Sequence, residues 1–294
     1  MSMIKVEITD EQMHEYASGI TAGEVLDNVY GKRYGAVAAI VDGIERDMAF
    51  TLDSNCKVEA ILGDSNEGLY ILRHSCAHLL AQAVVEMFPN AKPTIGPPID
   101  HGFYYDFYMD PIGDTELKKL EKRMNQLVRA NTKIEREDHD NETLRKIFCE
   151  NKFKIEIMDD KIGQELGSSA YRQGDFVDLC RGPHVPSTSH LRWFKLTSTS
   201  QAYWRADRNR EPLTRIYGMC YATKEGLKER QRQIEEAAKR DHKKIGKEME
   251  LYMIDELIGK GLPVWLPNGE TLKSEIEKYA LETEKNYGYQ RVTT

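Results

Sequence analysis

Two residue pairs share one spacing. His74 and His78 stand four apart in His-Ser-Cys-Ala-His, and Cys180 and His184 stand four apart in Cys-Arg-Gly-Pro-His. Side chains at i and i+4 of a helix lie on one face, so the first pair can converge on one point. Gly182-Pro183 breaks a helix, so the second pair belongs on a loop or a strand end. Three imidazoles and a thiol meeting in one pocket can bind a metal, activate a water or grip a polar ligand.

Each chemistry has its own requirement. His74, His78, Cys180 and His184 carry the donor atoms zinc prefers, and three of them with an open position would make a catalytic centre. Ser75 stands where a zinc hydrolase of the His-Glu-x-x-His type keeps its glutamate, so that class is disfavoured. Cys180 beside His184 can form a thiolate pair, although a free cysteine is ordinarily buried and inert. Asp178, two residues earlier, points the same way on a strand and can bind an ammonium group or orient a histidine. Without metal, histidines relay protons to and from a held water, and Lys154 joins such a relay if burial lowers its pKa.

The elements that must position these groups can be read along the chain. Residues 1–63 read as a small α+β unit. Ile4, Val6 and Ile8 alternate as a strand, Thr21 and Glu24 have capping-box spacing before a short helix, and 36–41 and 58–62 are apolar strands. Residues 64–222 form a larger α+β unit. It has a helix over 70–88 ended by Pro89, strands near 94–99 and 102–107, and an amphipathic helix over 114–130 with Leu117, Leu120, Met124 and Leu127 in one stripe. A strand is expected over 153–157, carrying Lys154, with further strands at 193–196 and 215–221. Residues 223–250 read as one long charged linker helix. Residues 251–294 add a loop or short strand at 262–269, a helix over 271–287 and the start of a strand at Tyr289-Val292. That last strand has no partner, so a cut piece of a longer protein is expected.

Composition narrows the classes. The chain has 294 residues, 40% hydrophobic and 30% charged, with a net charge of −7, which fits soluble globular domains and disfavours wrapping a duplex by bulk charge. Five scattered cysteines do not make a disulfide framework and point to a reducing, cytoplasmic setting. No signal peptide or membrane-length apolar run is read.

The strings Arg73-His74-Ser75-Cys76-Ala77-His78-Leu79-Leu80, Gly102-Phe103-Tyr104-Tyr105-Asp106, Val177 to Pro186 and Ala202-Tyr203-Trp204-Arg205 together resemble the N-terminal half of bacterial threonyl-tRNA synthetases. Glu236 to Gly246 is similar to that family's linker. Alanyl-tRNA editing domains share the paired His and Cys-His spacing but lack the first unit and the linker in this order. Two residues depart from the pattern: Ala206 where glycine is usual and Lys260 where proline is common.

The resemblance implies a β-grasp (ubiquitin-like, TGS) domain at 1–63, an editing domain at 64–222, a linker helix at 223–250, and the truncated start of a class II core at 251–294. It implies hydrolysis of seryl-tRNA mischarged on the threonine tRNA. The parent enzyme would use ATP, Mg²⁺ and zinc in a core that also supplies its homodimer contacts. Under this reading no cofactor is needed for editing. His74 and Lys154 handle the water and the leaving hydroxyl, and Asp178 holds the seryl ammonium. Cys180 and His184 line the serine side-chain pocket and His78 completes the wall. Tyr105 touches the terminal adenosine or the rim, and Arg181 touches phosphate. The alternatives are a zinc-dependent hydrolase at His74, His78, Cys180 and His184, and a tRNA-binding module without catalysis.

Overall fold

The computed structural model describes residues 2–8, 12–32, 34–161, 169–255, 257–259 and 261–292. The chain divides into two compact units, Met1–Leu227 and Lys228–Thr294.

The first unit opens with β1 (Met3–Ile8), β2 (Gln12–Ala17), β3 (Ile20–Thr21), α1 (Ala22–Tyr30), β4 (Ala36–Val41), β5 (Ile44–Arg46), β6 (Thr51–Leu52) and β7 (Cys56–Leu62). The main sheet runs β2-β1-β7-β4-β5, with β1 and β7 parallel. Thr21 and Glu24 close the expected capping box on α1. Val25 and Leu26 of that helix bury against Ile4, Val6, Ile8 and Val58. Val37, Ala38 and Ile61 instead join the next core, against α2 (Asn66–Met87).

α2 is capped by Ser65, which accepts the Gly68 N–H at 3.0 Å. It has no clear apolar stripe because it is enclosed on nearly every side, with fourteen buried residues from Gly68 to Val84. Around it stand β8 (Lys92–Pro93), β9 (Pro98–Ile99), β10 (Gly102–Tyr108) and α3 (Asp114–Ala130), whose expected leucine-methionine stripe is buried. There follow β11 (Ile134–Asp138), α4 (Asn141–Ile147), α5 (Lys152–Lys161), β12 (Ser169–Gln173), β13 (Phe176–Leu179), β14 (Trp193–Tyr203) and β15 (Pro212–Tyr221). They complete a sheet of order β14-β15-β10-β8, with β9 also on β10, and a three-stranded sheet β11-β12-β13.

The element that carries Lys154 differs in kind from the sequence reading. Residues 153–157 are helical, within α5, not a strand. Asn151 Oδ1 accepts the backbone N–H groups of Phe153 and Lys154 at 3.2 and 3.4 Å, which starts a helix. The alternating apolar residues arise because both faces are packed. Phe153 and Ile157 meet Trp204 and Leu213, while Ile155 and Met158 meet Leu144 and Ala170.

The charged run at 223–250 is not one helix. α6 (Lys224–Lys239) ends and α7 (His242–Glu248) restarts, because the Asp241 side chain accepts the N–H groups of Lys243 and Lys244 as an N-cap. Then come β16 (Tyr252–Ile254), β17 (Pro263–Trp265) and α8 (Pro267–Asn286). The strand expected at Tyr289-Val292 is irregular backbone. Ala206 sits at φ 58°, in the left-handed region where glycine costs less, which accounts physically for the glycine usual there. Lys260 lies outside the described residues. Among the described residues, no helix is long and apolar enough to cross a membrane.

Candidate active site

α2 and the loop after β13 deliver the four expected ligating residues to one point. The donor atoms of His74, His78, Cys180 and His184 lie within 4.8 Å of one another. Cys180 Sγ is 3.2 Å from both His74 Nε2 and His184 Nε2. The His184 ring packs 4.4 Å from His78 and 4.5 Å from His74, centre to centre.

The loop geometry is enforced residue by residue. Ser169 Oγ donates to the Cys180 carbonyl at 2.6 Å, and the Gly182 N–H is directed at Cys180 Sγ at 3.3 Å. Gly182 has φ 71°, and a Cβ there would stand 1.8 Å from the Tyr171 hydroxyl, so only glycine lets the loop pass. Ser75, inside the His74–His78 turn, is fully buried. Its Oγ accepts the Val185 N–H at 3.1 Å and contacts His184 Nδ1 at 2.9 Å. The hydroxyl thus holds the ring from its Nδ1 side while Nε2 faces the Cys180 sulfur.

Beside the tetrad lies a buried ion pair. Lys154 Nζ on α5 is 2.5 Å from Asp178 Oδ1 on β13, and both residues are almost wholly buried. Tyr105 donates to Asp178 Oδ2 at 2.6 Å and accepts from Lys154 Nζ at 3.2 Å. The Leu179 N–H donates to Asp178 Oδ1 at 2.8 Å, and His78 Nδ1 lies 3.5 Å from Oδ2. A cleft of about 580 Å³ reaches this pair, with Gln82, Asn151, Phe176 and Val177 among its walls.

Burial sets the charge states. It lowers the His74 imidazole to about 4 against the opposing pull of Asp178. It holds His78 and His184 well below the usual histidine range, helped by the neighbouring imidazoles. It pushes the Cys180 thiol up to about 12. At neutral pH the tetrad is therefore three neutral rings and a thiol.

The expected residues fall into two groups. His74, His78, Cys180, His184, Lys154 and Asp178 are brought together. Tyr105, expected at the rim or on an adenosine, is instead 1% exposed and engaged by Asp178 and Lys154, because its side of β10 packs into the core around α2. Arg181 is exposed on the loop, and its carbonyl accepts from Arg136 Nη1 at 3.1 Å. Sequence reading missed Ser75, Tyr171 and Asp47. Ser75 was hidden inside its own motif, and nothing local marks the other two.

The tetrad would fit a zinc ion. Three nitrogens and a sulfur are a familiar set, and Ser75 on His184 Nδ1 and Asp178 near His78 Nδ1 are the outer partners such ligands use.

Residues 169–217 match the family model described as threonyl and alanyl tRNA synthetase second additional domain. That segment contains Asp178, Cys180 and His184. The threonine–tRNA ligase of Staphylococcus aureus (strain NCTC 8325 / PS 47) is 40% identical over 296 aligned positions, covering 100% of this chain and 46% of the relative. From end to end, the chain is similar to threonine–tRNA ligases. Those of strains JH9 and Newman align with the same identity and coverage. The chain spans about half the length of these curated relatives.

Proposed function

We propose that this chain hydrolyses the ester joining serine to the 3′-terminal adenosine of a threonine tRNA and spares the threonyl ester. The convergence of the tetrad with the Lys154–Asp178 pair carries this reading. A synthetic site that selects threonine by its hydroxyl cannot strongly exclude serine, because one methylene is worth only about 1–3 kcal/mol. A second pocket too small for the extra methyl supplies the rest.

The tetrad suits this task because it is polar, uncharged and close-packed. Cys180 and His184 offer hydrogen bonds to the serine hydroxyl and leave little room for a methyl group. The serine ammonium shares the Asp178 carboxylate with Lys154. Water adds to the acyl carbon and the bond to the ribose oxygen breaks. The water's proton passes to His74, and the ribose oxygen is protonated from Lys154, which then recovers the proton. The 3′ end enters by the cleft beside Lys154, and Arg181 meets phosphate.

Similarity to the relatives supports a wider reading. The sheet order of residues 1–63, with its parallel central pair, supports a β-grasp domain of the TGS kind. Residues 64–222 would be the editing domain, 223–250 the linker, and 251–294 the start of a class II core. The parent protein would attach threonine to its tRNA with ATP, Mg²⁺ and zinc and pair as a homodimer through that core.

A second reading is favoured by the tight donor set: a zinc ion held by His74, His78, Cys180 and His184. With three of the four as ligands and the remaining position open, it would supply Lewis-acid activation of water there. The test is deacylation of seryl-tRNA by wild type, His74→Ala and Lys154→Ala, with zinc measured on the same samples. Loss of rate of about 100-fold or more in both variants, with no bound zinc, is expected. Full rate in both would overturn the assignment, and about one chelator-sensitive zinc per chain would move it to the second reading.

A further inference from the structure

His184 is held by a residue from a distant part of the chain. Its backbone N–H donates to Asp47 Oδ1 at 2.8 Å, across 137 residues of sequence. The other carboxylate oxygen, Asp47 Oδ2, accepts the Tyr171 hydroxyl at 2.7 Å. Tyr171 is almost wholly buried and packs edge-on to the His184 ring at 4.4 Å between centres. Asp47 lies between β5, an edge strand of the five-stranded N-terminal sheet, and β6, which pairs with β3, and it belongs to the same compact unit as His184.

We infer that Asp47 is a positioning residue for the hydrolytic pocket, by which the N-terminal sheet sets the place of the His184 imidazole. This rests on the hydrolytic reading above. One carboxylate grips His184 twice, once through its main chain and once through the tyrosine against its ring. The ring is also held by Ser75 Oγ at Nδ1 and Cys180 Sγ at Nε2, and it packs against His74 and His78. With Asp47 removed, a backbone N–H and a phenol lose their acceptor together, and the loop from Cys180 to Val185 is free to shift. Cys180 Sγ, 3.2 Å from His184 Nε2, moves with it. The N-terminal sheet is thereby part of the site although it brings no group to the substrate.

The experiment uses the whole chain and compares Asp47→Ala, Asp47→Asn and Tyr171→Phe. Asparagine keeps an acceptor for the His184 N–H, and Tyr171→Phe removes only the second contact. The readouts are kcat and KM for seryl-tRNA deacylation and the ¹⁵N and ¹³C resonances of the His184 ring in the free protein. Expected is a fall in kcat of about tenfold or more for Asp47→Ala with KM within about twofold. Displaced His184 resonances should accompany it, with Asp47→Asn near wild type and Tyr171→Phe between. If Asp47→Ala does not fold, the graded order of the other two decides. Wild-type kcat and unmoved His184 resonances in Asp47→Ala, or in Tyr171→Phe if alanine does not fold, would overturn the inference. Should the wild-type chain not deacylate seryl-tRNA, the hydrolytic reading fails, and the resonances alone still show whether Asp47 positions His184.

Discussion

Helix α5 carries two polar side chains two residues apart with opposite fates. Lys154 points inward to Asp178 and the histidine-thiol cluster, nearly devoid of solvent. Glu156 points outward, where Arg210 grips it with two bonds of 2.8 Å, Arg205 adds an ion pair and Trp204 donates its indole N–H at 3.0 Å. The outer carboxyl is lowered to about 2, chiefly by Arg210. The inner imidazoles are driven the other way, to neutrality, by burial. Abundant countercharge at a wet surface fixes charge and little else. Scarce countercharge in a dry pocket yields neutral groups ready to exchange protons and hydrogen bonds with a ligand.

Substitutions sharpen this contrast. Lys154→Ala strands a buried carboxylate and should lower the unfolding free energy by about 3–5 kcal/mol in urea titration. Gly182→Ala, which drives a methyl into the Tyr171 hydroxyl from a left-handed backbone, should cost about 1–3 kcal/mol by the same measurement. At the outer end of the scale, Glu156→Gln should cost only about 0.2–1 kcal/mol. If the outer substitution proved as damaging as the inner, the contrast between the two clusters would collapse.

The pH dependence separates the clusters as well, with an effect between those of the last two substitutions. A histidine whose folded pKa is depressed binds fewer protons folded than unfolded, so stability rises with pH between the two values. His74 should therefore contribute a loss as pH falls from about 6.5 toward 4, about 1 kcal/mol at pH 5 after allowing for its partial exposure, with His78 and His184 adding in the same direction. Glu156, whose folded pKa is lowered, loses its contribution only as pH falls below about 4.5 toward 2. Thermal unfolding from pH 7 to 4.5 should show the histidine loss in wild type and a smaller one in His74→Ala.

Much of the site was legible because its chemistry is written in spacing. His74 and His78 fall on one helix face by period alone, and Gly182-Pro183 marks a loop wherever it occurs. The helix over 114–130 was equally plain, since one face is buried and one is wet. Misreadings came where both faces are buried, as on α5, where packing on two sides imitates a strand's alternation. The tyrosines of β10 do not declare which face of the strand is buried: Tyr105 is enclosed while Tyr108 is exposed. Asp47 and Tyr171 left no local trace, since their partner is reached only through the tertiary fold. The break at Asp241 lies inside a charge pattern that reads as one helix, and a single capping side chain is enough to restart it.

The central claim is that the tetrad and the Lys154–Asp178 pair form a pocket that takes a serine ester and refuses its methylated counterpart. The most direct measurement is release of amino acid from seryl- and threonyl-tRNA by this chain, against spontaneous hydrolysis of each. The account predicts rapid loss of serine with threonyl-tRNA left near its spontaneous rate. Equal release of both amino acids, or acceleration of neither, would contradict it.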